Sequence, residues 1–134
     1  ILKELSEDKY FIHRPNLKSL NGIIKLMDKS YNDAKAFFSQ PNYNTLVVIP
    51  LKDEIVPRKP LIELLETTKI KSDKFSFNFL IFESSYHMIM RDIKGDNITE
   101  EIKNWVTGRK TKKKNNLSEI IEKLKNTDYH HMLD

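Results

Sequence analysis

Two short segments of this chain carry groups suited to acid–base chemistry. Asp53, beside Glu54, follows one apolar run, and His87 follows another. A carboxylate that accepts the Nδ1–H of an imidazole fixes the ring's tautomer and stabilises its cation. The other ring nitrogen is then a general base for a hydroxyl nucleophile. Taken singly, an aspartate after a strand is most often a turn residue or helix cap, and a loop histidine an ordinary polar residue. The pair acquires chemical meaning only if the fold brings the two loops together.

Other chemistries have less raw material. The chain has no cysteine, which excludes a disulfide framework, a thiolate zinc site and a cysteine nucleophile. It has three glycines in 134 residues, Gly22, Gly95 and Gly108, so a glycine-rich phosphate loop cannot be built. His130 and His131 are adjacent near the chain end and point in different directions, so with Asp134 they make a poor metal site. His13, beside Arg14, reads as a surface residue. Ser84 and Ser85 lie close to His87, but nothing in the sequence aims either one at it. No cofactor and no metal are expected.

The elements that must position Asp53 and His87 follow from periodicity. Residues 1–14 are polar and mixed and read as one short helix. Leu17, Leu20, Ile24, Met27, Tyr31, Ala34 and Phe38 recur at alternating steps of three and four. That spacing predicts one apolar helix face, ended by Pro41 and packed on a core. A partner helix or a lipid-facing surface is the lesser reading. Thr45–Leu51 (TLVVIPL) is a short apolar run that predicts a strand buried on both faces, as in a parallel sheet. Lys52–Pro57 is a polar turn. Pro60 suits the first turn of a helix that carries Leu61, Leu64 and Leu65 on one face.

After a loop at Lys69–Lys74, Phe75–Phe82 (FSFNFLIF) predicts a second strand. Glu83–Lys94 is a long loop, partly helical. Asn97 then reads as the cap of a new helix, with Glu100 completing a capping box. Ile98, Ile102, Trp105 and Val106 supply its buried stripe, and Gly108 stops it. Asn116–Lys125 reads as a terminal helix with Ile120, Ile121 and Leu124 on one side. Two strands joined through a helix are parallel neighbours. Their carboxyl ends then open on the same edge of the sheet, where functional loops of such sheets collect. The Asp53 and His87 loops both leave that edge.

The net charge is +4. Arg109, Lys110, Lys112, Lys113 and Lys114 supply five positive charges in one run, and removing them from +4 leaves −1 for the rest. The basic excess is local and reads as a solvated linker; nucleic acid is not the expected partner. The longest apolar runs, Leu46–Leu51 and Phe79–Phe82, fall far short of the ~18 residues of a spanning helix.

The two loops also resemble a known family. LVVIPLKDEIVP (Leu46–Pro57) is similar to the acid-loop segment of the α/β-hydrolase superfamily, in which an apolar strand precedes x-x-D-x-x-V-P. SYHMIMRDIKGDNITEEIKNWV (Ser85–Val106) resembles the histidine-loop segment of its lysophospholipase and monoacylglycerol-lipase-like branch. KSLNGIIKLMDKSYNDA (Lys18–Ala34) more weakly resembles the helical cap of that branch. The resemblance covers about residues 41–107, and residues 109–134 have no counterpart in it. It implies that Asp53 is the triad acid, that His87 is the base, and that Arg91 and Asp92 form a salt bridge steadying the histidine loop. Two departures stand out. The family often has glycine near the histidine, where this chain has Ser84, Ser85 and Tyr86. The family's serine sits in a G-x-S-x-G turn, which Gly22, Gly95 and Gly108 cannot supply.

The expectation is therefore an α/β fold forming the C-terminal portion of an α/β-hydrolase, with a cap-like helix, two parallel strands and flanking helices. Residues 1–40 would be the cap-like segment, 41–108 the core portion, and 109–134 a basic linker with a terminal helix. The parent enzyme would hydrolyse a lipid ester, a lysophospholipid or monoacylglycerol, in the cytoplasm or at a membrane surface. This chain alone would be inactive: a truncated product, one half of a split hydrolase whose partner is the N-terminal half, or a piece of a longer chain. The rival expectations are a basic interaction module acting through Arg109–Lys114, and a scaffolding remnant that binds another chain through its open sheet edge.

Overall fold

The computed structural model describes residues 6–10, 16–40, 42–68, 70, 74–91, 95–111 and 115–127, with the side chains of residues 95 and 96 excepted. The chain divides into two compact units, Ile1–Asp33 and Ala34–Asp134. Its elements are α1 (Leu17–Ser39), β1 (Thr45–Pro50), α2 (Arg58–Glu66), β2 (Phe77–Phe82), a 3₁₀ turn (Ile89–Arg91), α3 (Gly95–Val106) and α4 (Leu117–Asn126). Both strands and the four longer helices fall where periodicity places them. Most of the short helix expected over residues 1–14 lies outside the described residues.

Helix α1 begins at an asparagine cap. Asn16 Oδ1 accepts the Ser19 N–H at 2.8 Å, satisfying one of the donors that a helix start leaves without an intrahelical partner. Its apolar face departs from expectation. Leu17, Leu20, Ile24 and Met27 are exposed, and only from Tyr31 onward does the stripe become half-buried. An amphipathic pattern specifies that a face is apolar, not what covers it. Within the second unit, Phe37 and Phe38 do pack. Phe38 stacks on Phe77 at 5.0 Å between centroids, and Phe37 meets the same ring edge-on at 5.4 Å.

β1 and β2 pair in parallel, in register from Thr45↔Phe77 to Pro50↔Phe82. Alternation along each strand sorts side chains onto two faces. Ile49, Phe77, Phe79 and Ile81 face a core built with Leu65 of α2 and Leu117, Ile120 and Leu124 of α4. Leu80 and Phe82 face the other way, against Ile98 of α3, with Leu46, Val48 and Ile89 packed alongside. Helices thus cover both faces, as a parallel sheet requires. β1 is nevertheless half-buried along most of its length and fully buried only at Ile49, because among the described residues the sheet has two strands and β1 has one neighbour.

Two details correct the sequence expectation for α3. The helix starts at Gly95, so Asn97 lies inside its first turn instead of capping it. First-turn N–H groups lack intrahelical partners in any case, so an earlier start sacrifices no hydrogen bond. Val106 is exposed, while Ile98 is completely buried; the buried stripe ends at Trp105, just before the chain turns away. Gly108 stops the helix at φ +67°, in the left-handed region that glycine adopts without Cβ strain.

Arg58 ties the elements together. Its guanidinium donates to the carbonyls of Leu124 (3.3 Å) and Thr127 (2.6 Å) at the end of α4, and to that of Leu51 (2.8 Å) just after β1. A cation at a helix C-terminus also meets the negative end of the helix dipole.

Candidate active site: an aspartate–histidine pair

The paired strands deliver two loops to one edge of the sheet. Immediately after the register ends, the Leu51 N–H donates to Phe82 O and the Lys52 N–H to Ser85 O, both at 3.0 Å. These bonds staple the acid loop to the histidine loop one residue before Asp53 and two before His87. The next pair of side chains adds a second staple, with Lys52 Nζ 5.6 Å from the centre of the Tyr86 ring. A cation over an aromatic face is an attractive contact.

Asp53 is oriented by its own turn. Its Oδ1 accepts the N–H of Ile55 at 2.8 Å and of Val56 at 3.1 Å, the arrangement by which aspartate mimics a backbone turn. His87 Nδ1 lies 3.1 Å from Asp53 Oδ1 and 3.0 Å from Oδ2. The Asp53 side chain is 14% exposed and that of His87 37%, so the carboxylate is sheltered and the imidazole open to solvent.

Burial alone pushes the Asp53 carboxyl up. The His87 hydrogen bond, with the Val56 and Ile55 N–H groups, outweighs it and holds the carboxyl below its ordinary value. The ionised carboxylate has no proton to donate, so Nδ1 must carry the hydrogen of the contact. In the neutral ring, Nε2 is then the acceptor. That is the tautomer a general base requires.

Asp53 and His87 are thus brought together. The expected Arg91–Asp92 bridge falls outside the described residues at Asp92; Arg91 itself is exposed in the 3₁₀ turn. Among the described residues, apolar and main-chain contacts also support the histidine loop. Ile89 packs against the cluster of Leu80, Phe82 and Ile98. Ser85 is 1% exposed, its carbonyl accepting the Lys52 N–H. Among the described residues its Oγ has no hydrogen-bond partner, so it is not engaged with His87 as a nucleophile would be. The sequence carries no signal for Ser85 as a positioning residue, because its contribution is a backbone carbonyl. Lys52 and Tyr86 had no signal either, since they lie 34 residues apart.

Among the described residues no three His, Cys, Asp or Glu side chains converge to hold a metal ion; His130, His131 and Asp134 lie outside them. No helix among them is long and apolar enough to cross a membrane. A cleft of about 830 Å³ opens along β2, lined by neither Asp53 nor His87. No protein-family model, curated protein or solved structure matches this chain.

Proposed function

We propose that this chain is the acid–base portion of a serine ester hydrolase acting on lysophospholipids or monoacylglycerols. The observation that carries the reading is the contact of the Asp53 carboxylate with His87 Nδ1 at 3.0 Å. In this reading Asp53 orients the imidazole and stabilises its cation, and Nε2 takes the proton of a serine hydroxyl, later passing it to the leaving alcohol. The serine comes from outside the chain, because the glycines are too far apart for the turn that holds it. The lipid substrate rests on the resemblance of Leu46–Pro57 and Ser85–Val106 to the lysophospholipase-like branch. The outer edge of β1 supports a missing partner. A parallel ladder alternates its donors, and with Thr45 and Leu51 donating to β2, the Leu46 and Val48 N–H groups point the other way, where a further strand would pair.

A scaffolding role for the same fold is the second reading, favoured by the exposed apolar residues of α1 and by that open edge. One experiment separates the two. The coding region upstream of Ile1 is read for a strand–G-x-S-x-G–helix segment, that segment is co-expressed with this chain, and monoacylglycerol hydrolysis is assayed. The hydrolase reading expects activity in the pair, none in this chain alone, and loss in His87→Ala. An upstream region without such a segment, or hydrolysis indifferent to His87→Ala, overturns it. Steady turnover by this chain alone, abolished in His87→Ala, overturns the claim that the serine lies elsewhere.

A further inference from the structure

The cleft along the outer edge of β2 has the chemistry of a ligand site. Its volume, about 830 Å³, falls within the ~300–1,000 Å³ of small-molecule pockets. Leu46, Ile70 and the Trp105 indole contribute an apolar lining that keeps some exposure, and Arg109 and Lys110 add two cations. Among the described residues no carboxylate lines it. Both cations are exposed, and among the described residues neither side chain makes an ion pair or hydrogen bond.

The local fold explains how these groups meet. Helix α3 closes with Gly108 N–H donating to Trp105 O at 3.1 Å and Arg109 N–H to Asn104 O at 2.8 Å. This is the two-bond terminus that a left-handed glycine permits. It reverses the chain directly after Trp105, so Arg109 and Lys110 line the same cleft as the indole. The chain later returns to the strand edge, where Asn115 Oδ1 accepts the Ile81 N–H at 3.0 Å. At the other end of β2, the Phe77 N–H donates to Ile70 O at 2.9 Å. Of the outward-facing donors at Phe77, Phe79 and Ile81, the first and last are therefore taken. An added peptide strand would meet a blocked ladder, which disfavours strand addition and favours a compact ligand.

We propose that this cleft binds an anionic amphiphile, its carboxylate or phosphate head on Arg109 and Lys110 and its alkyl chain against Leu46, Ile70 and Trp105. Unpaired cations attract the head, and a chain lying on Ile70 and the half-buried Leu46 and Trp105 takes their remaining apolar surface out of water. The site is independent of the Asp53–His87 pair, and its proposal does not rest on the hydrolase reading.

Trp105 is the one tryptophan of the chain, so its emission reports occupancy directly. The intact chain is titrated with decanoate and with decyl phosphate, each below its aggregation concentration, and in parallel with decanol, inorganic phosphate and a single-stranded oligonucleotide. A saturable shift with at least one anionic amphiphile is expected, and the comparison of the two identifies the preferred head. R109A/K110A should weaken that binding at least tenfold while leaving any decanol response unchanged. Circular dichroism of the variant should match the parent, since both side chains are exposed. Decanol binding as tightly as the anions overturns the proposal, as does an equal response to inorganic phosphate alone. It is equally overturned by unchanged affinity in the double variant, or by a response to the oligonucleotide with none to either amphiphile.

Discussion

Replacing Asp53 with asparagine keeps the turn and removes the charge. The amide oxygen can still accept the N–H groups of Ile55 and Val56, which Asp53 Oδ1 holds at 2.8 and 3.1 Å. What is lost is the carboxylate facing His87 Nδ1 at 3.0 Å. The contact is a hydrogen bond from a ring N–H to a carboxylate, and hydrogen bonds to charged groups contribute about 1.5–3 kcal/mol. With side-chain exposures of 14% and 37%, solvent screening places the contact at or just below the lower figure. The expected coupling is therefore about 1–1.5 kcal/mol. Asp53→Ala also removes both turn bonds. Ile55 and Val56 are exposed, so their N–H groups rehydrate at about 0.5–1 kcal/mol each, for a total of ~2–3.5 kcal/mol.

The assay is urea unfolding at neutral pH of the parent, Asp53→Asn, Asp53→Ala, His87→Ala and the Asp53→Asn/His87→Ala double variant. The double-mutant cycle isolates the pair, since independent sites add within about 0.3–0.5 kcal/mol. Additivity within that range would refute the argument that the aspartate holds the histidine. An alanine variant no less stable than the asparagine one would refute the turn.

Four further outcomes follow from the same geometry. Because the folded-state Asp53 carboxyl is held below its ordinary value, the stability it contributes is present above the unfolded pKa of ~3.9 and is lost as pH falls through the folded one. The stability gap between parent and Asp53→Asn should thus shrink as the pH of the urea titration is lowered from 5 toward 3. Arg58→Ala leaves three carbonyls without their donor and should cost about 1.5–3 kcal/mol; Arg58→Lys should recover only part of this on thermal melting, because an ammonium lacks the planar fork that reaches Leu51 and Thr127 together. Leu65→Ala, at a side chain with 0% exposure, should lower unfolding free energy by about 2–5 kcal/mol. Gly108→Ala meets open space but keeps φ at +67°, so it should destabilise by about 1–2 kcal/mol, with Gly108→Asn milder.

Much of the architecture was legible because its signals are local. The run Thr45–Leu51 and the alternation in Phe75–Phe82 name strands without reference to anything distant. The leucines at 61, 64 and 65 name a helix between them, and that helix makes the strands parallel neighbours. From there, Asp53 and His87 are obliged to emerge on one edge. The terminal helix was equally clear from Ile120 and Leu124, both buried, while its capping by Asn116 emerged only in the structure. Less was legible where burial depends on a partner. The stripe of α1 looks like a core-facing helix, yet Leu17, Leu20, Ile24 and Met27 are exposed. Val106 continues the stripe of α3 by spacing but falls beyond the edge of what the helix covers.

The amino-acid sequence by itself determined the element types, their order, the parallel pairing and the residue types available for chemistry. All of these follow from backbone preferences and from periods of 2 and 3.6 residues, which act over a few positions. Tertiary structure alone decided that the Asp53 carboxylate meets His87 Nδ1, that Ser85 contributes a carbonyl and not a hydroxyl, and that Arg58 closes the end of α4. It also placed Arg109 and Lys110 in a cleft with Trp105. Each of these is a contact between groups distant in sequence or oriented by a turn, and the geometry of such contacts is set to tenths of an ångström by packing, for which no local pattern codes.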